Sequence, residues 1–137
     1  MFCYQCEQTA RGQGCTVMGV CGKNPEVANL QDLLVYKLRE LSQLAILANN
    51  AGMRDEQVDV FTAEALFATL TNVNFDPQAI AAYLRKAEQF QLQIQAKLFN
   101  KNPYLKLEPT IEGMVAQGRA HGIDSEPNMD PDLHSLQ

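Results

Sequence analysis

Apolar positions in this chain recur at intervals of three and four over long stretches, and nowhere do they alternate for long enough to mark a sheet. The first stripe is Leu30, Leu33, Leu34, Leu38, Leu41, Leu44, Ala45 and Ala48, and it follows Lys23-Asn24-Pro25-Glu26. Asn24 suits an N-cap, Pro25 the first helical position, and Glu26 complements the positive end of the helix dipole. The spacing predicts a helix to about Asn50, with Gly52 as its C-terminal stop. A second helix is predicted over about Gln57 to Thr71, with Val58, Phe61, Ala65, Leu66 and Leu70 on its inner side. Thr71-Asn72-Val73-Asn74-Phe75 then supplies turn formers, with Asn72 and Asn74 placed to cap that helix. Asp76-Pro77 repeats the cap-then-proline signature, and Ile80, Tyr83, Leu84, Ala87, Phe90, Ile94 and Leu98 carry a third stripe to about Phe99.

Three amphipathic helices joined by short connections predict an all-α fold, an antiparallel bundle of three-helix type. Beyond Asn100 the pattern thins: Pro103 and Pro109 bracket a loop, and Ile111 to His121 fits one short helix. Pro127 and Pro131 mark another loop. The last eight residues, Asp130 to Gln137, echo Asn24 to Gln31 in the placement of proline, leucine and glutamine, which suggests a second copy of the helical unit. The organisation expected is therefore a Cys-rich loop over 1–24, a helical bundle over 25–122, and over 123–137 a loop opening a second repeat. A stripe that begins where the chain stops leads to the expectation of a truncated piece of a longer protein.

Composition narrows the classes. At 137 residues and 46% hydrophobic content, the chain has the size and apolar share of one domain with a true core. Its 11 basic and 16 acidic residues leave a net charge of −5, and the basic ones are scattered, so the footprint of a nucleic-acid binder is missing. No apolar run reaches the roughly 18 residues that suggest a membrane span. A cytoplasmic protein without nucleic-acid or membrane partners is the expectation.

The chemistry is concentrated at one end. All four cysteines lie in the first 21 residues, as Cys3-x2-Cys6-x8-Cys15-x5-Cys21. A disulfide framework spreads cysteines along a chain, whereas a metal site needs thiolates converging on one point. Gly12, Gly14, Gly19 and Gly22 give the segment the freedom to loop around a centre. Structural zinc is usually held by two Cys-x2-4-Cys pairs, and only Cys3 and Cys6 form one; cluster ligands tolerate wider spacings. Spacing leaves an iron-sulfur cluster, zinc and disulfides all open.

The wording around these ligands, Met1-Phe2-Cys3-Tyr4-Gln5-Cys6-Glu7-Gln8-Thr9, then Gly14-Cys15 and Val20-Cys21-Gly22-Lys23, resembles the N-terminus of the hybrid-cluster proteins, also called prismane proteins or hydroxylamine reductases. The resemblance continues through Leu30-Gln31-Asp32-Leu33-Leu34 and through Leu66 to Asp76. It implies that Cys3, Cys6, Cys15 and Cys21 bind the family's proximal cluster, a 4Fe-4S cubane in the shorter-spaced group that this chain follows. It further implies a relay of electrons from a redox donor protein to a hybrid iron-sulfur-oxygen cluster, where hydroxylamine is reduced to ammonia or nitric oxide to nitrous oxide. That cluster draws its ligands from C-terminal domains that follow this one in the family, so this chain is expected to carry no catalytic residue and to be inactive alone. The competing hypothesis is a zinc-stapled helical interaction module without redox activity.

Around the ligands, Arg11 and Lys23 read as solvated surface residues, Phe2 as core, and Glu7, Gln8 and Thr9 as turn formers. His121, beside a glycine in a loop, and His134 read as exposed rather than as ligands. An apolar edge left uncovered in a fragment could promote homo-oligomerisation.

Overall fold

The computed structural model describes residues 1–10, 14–122 and 125. Every regular element among them is helical: a single 3-10 turn at Glu7–Thr9, then α1 (Pro25–Asn50), α2 (Glu56–Ala68), α3 (Pro77–Leu98) and α4 (Ile111–His121). The echo at 130–137, the loop prolines Pro127 and Pro131, and His134 lie outside the described residues.

Each helix starts where a side chain can accept an orphan backbone N–H. Asn24 Oδ1 accepts from Val27 N at 2.8 Å, and Asp76 Oδ1 accepts from Gln78 N at 2.9 Å, each with proline next in line. Asp55 does the same for α2 and Thr110 for α4, two caps not singled out from sequence. The ends are equally specific. Met53 N donates to Ala48 O and Gly52 N to Asn49 O, a Schellman closure that places Gly52 at a left-handed φ of 75°. The same pair of bonds closes α3, with Asn100 N on Gln95 O and Phe99 N on Ala96 O. There the left-handed position belongs to Phe99, φ 51°.

Helix α1 is the central element: α2, α3 and α4 all pack on it, α3 and α4 most extensively. Leu30, Leu33, Leu34, Leu41 and Leu44 of α1 are fully buried against Phe61 and Ala65 of α2, Ile80 and Leu84 of α3, and Met114 of α4. Full burial of one such side chain contributes about 1.5–3 kcal/mol, so this seam dominates stability. The expected bundle is present, and the short fourth helix is as integral to it as the third. Gly118 explains how α4 comes so close: a Cβ there would overlap the backbone of Asn29 on α1.

Helix α2 departs from its predicted span. It stops at Ala68 rather than Thr71, because the chain tightens into i→i−3 bonds from Thr69 N to Leu66 O and from Leu70 N to Phe67 O. In a continuing helix the Thr69 carbonyl would accept from Val73; instead it accepts from the Gln5 side chain at 2.7 Å. Leu66 and Leu70, expected inside, are half exposed: the buried face of α2 runs through Val58, Phe61, Ala65 and Ala68, with Thr69 buried just beyond it. Asn72 and Asn74 do not cap α2 either. Asn72 takes a left-handed φ of 64° in the turn, while the Asn74 side chain accepts from Asp76 N at 2.9 Å and leads into α3.

The loop predicted between α3 and α4 has no regular structure, yet side chains tie it to the bundle. Glu40 and Glu88 accept from Leu105 N and Leu107 N at 3.0 and 2.8 Å, and the buried Lys37 donates to Leu105 O at 2.7 Å. Lys37 also reaches Glu40 at 2.8 Å and the Gln91 side chain, so all three ammonium protons have acceptors.

Candidate metal centre

Cross-links between distant parts of the N-terminal segment fold it back on itself. Phe2 N donates to Cys15 O at 3.1 Å, which sets the segment around Cys3 beside Cys15. Thr9 donates to Cys6 O through both its backbone N, at 3.0 Å, and its hydroxyl, at 2.9 Å, closing the 3-10 turn behind Cys6. Gly19 N donates to Lys23 O at 2.6 Å and Gly22 N to Gly19 O at 2.8 Å. Gly22 at φ 93° and the close approach of Gly19 to Lys23 and Cys21 make this turn one that only glycine fits well.

The result is that Cys3, Cys6, Cys15 and Cys21 all line one cavity of about 370 Å³, mouth included. Phe2, Gln8, Gly19, Val20, Lys23 and Thr71 complete its wall. None of the four thiols is in a disulfide. Among the described residues no group of three His, Cys, Asp or Glu side chains is placed to hold a single metal ion. The donor set, four cysteine sulfurs on one wall, is of the soft kind that iron-sulfur clusters take. All four sequence-predicted ligands are thus brought together.

Lys23 is not where the sequence placed it. It was expected on the surface, but it is 1% exposed, because it joins the last cysteine turn to the N-cap of α1 and is held from both sides. Its Nζ lies 3.7 Å from Cys3 Sγ, donates to Gln5 Oε1 at 2.7 Å, and sits 5.7 Å from the centre of the Phe75 ring. Gln5, passed over in the sequence, is the link that joins this lysine to the end of α2 through Thr69 O. The only signal for either was position: Gln5 between two ligands, Lys23 between a ligand turn and a cap. Phe2 is half-buried in the cavity wall, Glu7 to Thr9 form the 3-10 turn, and Arg11 lies outside the described residues.

A second pocket, open to solvent, shares Cys3 and Lys23 with the first and reaches Gln31, Asp32, Tyr36 and His121. His121 is exposed as expected, but it ends α4 rather than lying in a loop, and its ring stands 4.8 Å from that of Tyr36. Gln31 is 2% exposed; its Nε2 donates to Asn74 O at 2.9 Å.

The fold and site define a class: a helical domain that presents a pocket lined by four free cysteines against the start of its central helix. The chain belongs to the Prismane/CO dehydrogenase family, whose pattern matches residues 1–136, and membership implies iron-sulfur cofactors. It is similar to proteins named hydroxylamine reductase: 47% identical over 146 residues to that of Syntrophobacter fumaroxidans and 46% over 147 to that of Methanocella arvoryzae. The counterpart in Geobacter metallireducens is 43% identical over 150 residues. These alignments cover 100%, 100% and 98% of this chain, and the chain spans about 27% of the length of each relative. Among the described residues no helix is long and apolar enough to cross a membrane.

Proposed function

We propose that this chain is the N-terminal electron-transfer domain of a hydroxylamine reductase, with Cys3, Cys6, Cys15 and Cys21 as the four ligands of a 4Fe-4S cluster. The observation that carries the reading is that four cysteines up to 18 positions apart, the only four in the chain, line one cavity in a member of this family. A bound cluster of this type supplies one-electron transfer at a potential set by its surroundings. The protein's part is to hold four thiolates, to shield one side of them with the half-buried Phe2, and to offer charge through Lys23.

No cysteine remains outside this set. The residues that reduce hydroxylamine or nitric oxide would therefore come from further domains of a longer protein, which the relatives' length accommodates. An external redox protein would donate the electron, and the acidic balance of the chain, −5, favours a partner with a basic docking face. Residues 1–24 would act as the cluster-binding unit and 25–122 as its scaffold.

Anaerobic purification tests the reading. The expected product is brown, holds about four iron and four acid-labile sulfide per chain, and bleaches with dithionite. A colourless chain with one zinc, indifferent to dithionite, would refute it in favour of the zinc-stapled module. Cys15→Ser should abolish the colour, whereas His121→Ala should leave iron content unchanged.

A further inference from the structure

Two lysines are buried in this fold, and they differ in one respect. Lys37 is fully buried and has its counter-charge in the bundle, the Glu40 carboxylate at 2.8 Å. Lys23, 1% exposed, has no carboxylate within ion-pair distance among the described residues. Its near polar neighbours are a neutral amide oxygen, Gln5 Oε1, and the sulfur of Cys3. A buried cation without a counter-ion is strongly unfavourable. Of the two groups its Nζ contacts, the Cys3 sulfur is the one that carries negative charge once it ligates a metal.

We infer that Lys23 is a positioning residue whose ammonium is the built-in counter-charge of the Cys3 thiolate, and that it raises the reduction potential of the centre these thiolates hold. The geometry is prepared rather than incidental. Gln5 holds Nζ at 2.7 Å and is itself fastened to Thr69 O, the carbonyl released by the early end of α2. The Phe75 ring lies beneath the cation and favours it in place. The backbone of Lys23 is fixed by Gly19 N on its carbonyl. Lysine 23 thus reaches the cavity wall from a rigid position, with its charge directed at one ligand of the four.

The sign follows from charge. Reduction adds one electron to the centre and makes it more negative, and a fixed positive charge nearby stabilises that form over the oxidised one. Removing the charge lowers the potential. The inference rests on the cluster reading proposed above, and the measurement separates the two.

The 137-residue chain and its K23M, K23Q and K23R variants would be loaded anaerobically, and iron, sulfide and helicity measured before a dithionite redox titration. A neutral variant that retains the cluster should show an equilibrium constant for reduction at least tenfold smaller, about 59 mV for a one-electron couple. K23R, which keeps the charge, should stay within threefold of the parent. An unchanged potential in K23M or K23Q, or an equal fall in K23R, overturns the inference, since packing rather than charge would then be the cause. If neither neutral variant retains iron, retention by K23R supports the charge requirement and loss in K23R refutes it. A parent chain that holds zinc removes both readings; a parent with iron and sulfide whose potential ignores Lys23 removes only this one.

Discussion

Gly118→Ala gives the sharpest test of how α4 is docked. In an exposed helix this change would add about 1 kcal/mol of stability, because alanine is the better helix former. Here the new Cβ would stand 2.6 Å from the Asn29 carbonyl carbon and closer still to its oxygen. Carbon atoms in contact prefer about 3.5–4.0 Å, so α4 must withdraw from α1 by roughly 1 Å or more. The obstacle is backbone of the central helix, which has no rotamer to change. Overpacking of this kind costs about 1–3 kcal/mol, and the rigid neighbour argues for the upper part of that range. Withdrawal also loosens Met114, which is 1% exposed on the same face of α4. The net expectation is a loss of about 2 kcal/mol after the propensity gain. Urea unfolding followed by helix signal would show it as a lower midpoint at unchanged slope. A variant as stable as the parent, or more so, would mean that α4 is not held at this distance, and the account of its docking would fail.

Other outcomes follow from the same structure. Glu40→Ala leaves the buried Lys37 without its carboxylate and should cost about 3–5 kcal/mol in the same unfolding assay, while the double change K37M/E40M should recover much of that loss. Phe99→Gly removes an 89% exposed ring from a left-handed position that costs a non-glycine residue about 1–2 kcal/mol. It should therefore stabilise by roughly 0.5–1 kcal/mol, unusual for a phenylalanine-to-glycine change, and a lowered midpoint would contradict the assigned helix closure. Leu41→Ala, at the fully buried centre of α1, should cost about 2–5 kcal/mol and lower the thermal midpoint accordingly.

The parts of this protein that were legible in the sequence share one property, which is that their signals are local. Asn24 with Pro25 and Asp76 with Pro77 mark helix starts within two residues, and the three-and-four stripes on α1 and α3 identify the faces that are buried. Four cysteines within the first 21 residues mark the candidate ligand set by position alone. Local strength also explains the α2 error. Leu66 and Leu70 continue the stripe well enough, but the stripe carries no information about which carbonyl Gln5 will claim.

What the amino-acid sequence determined by itself, then, is the all-helical class, the bounds of α1 and α3, and the residues available to bind a metal centre, because capping, periodicity and side-chain chemistry act over a few positions. What only the tertiary structure decided is that the four thiols share one wall, that Lys23 is buried against Cys3, and that α2 ends at Ala68. Each of these depends on groups far apart in the chain. Gln5 and Thr69 are separated by 64 positions, and Lys23 and Cys3 by 20. A lysine's own sequence says that it prefers water; only the fold, by closing the turn around Gly19 and seating Gln5 on α2, takes the water away and sets Nζ between Gln5 and the Cys3 sulfur.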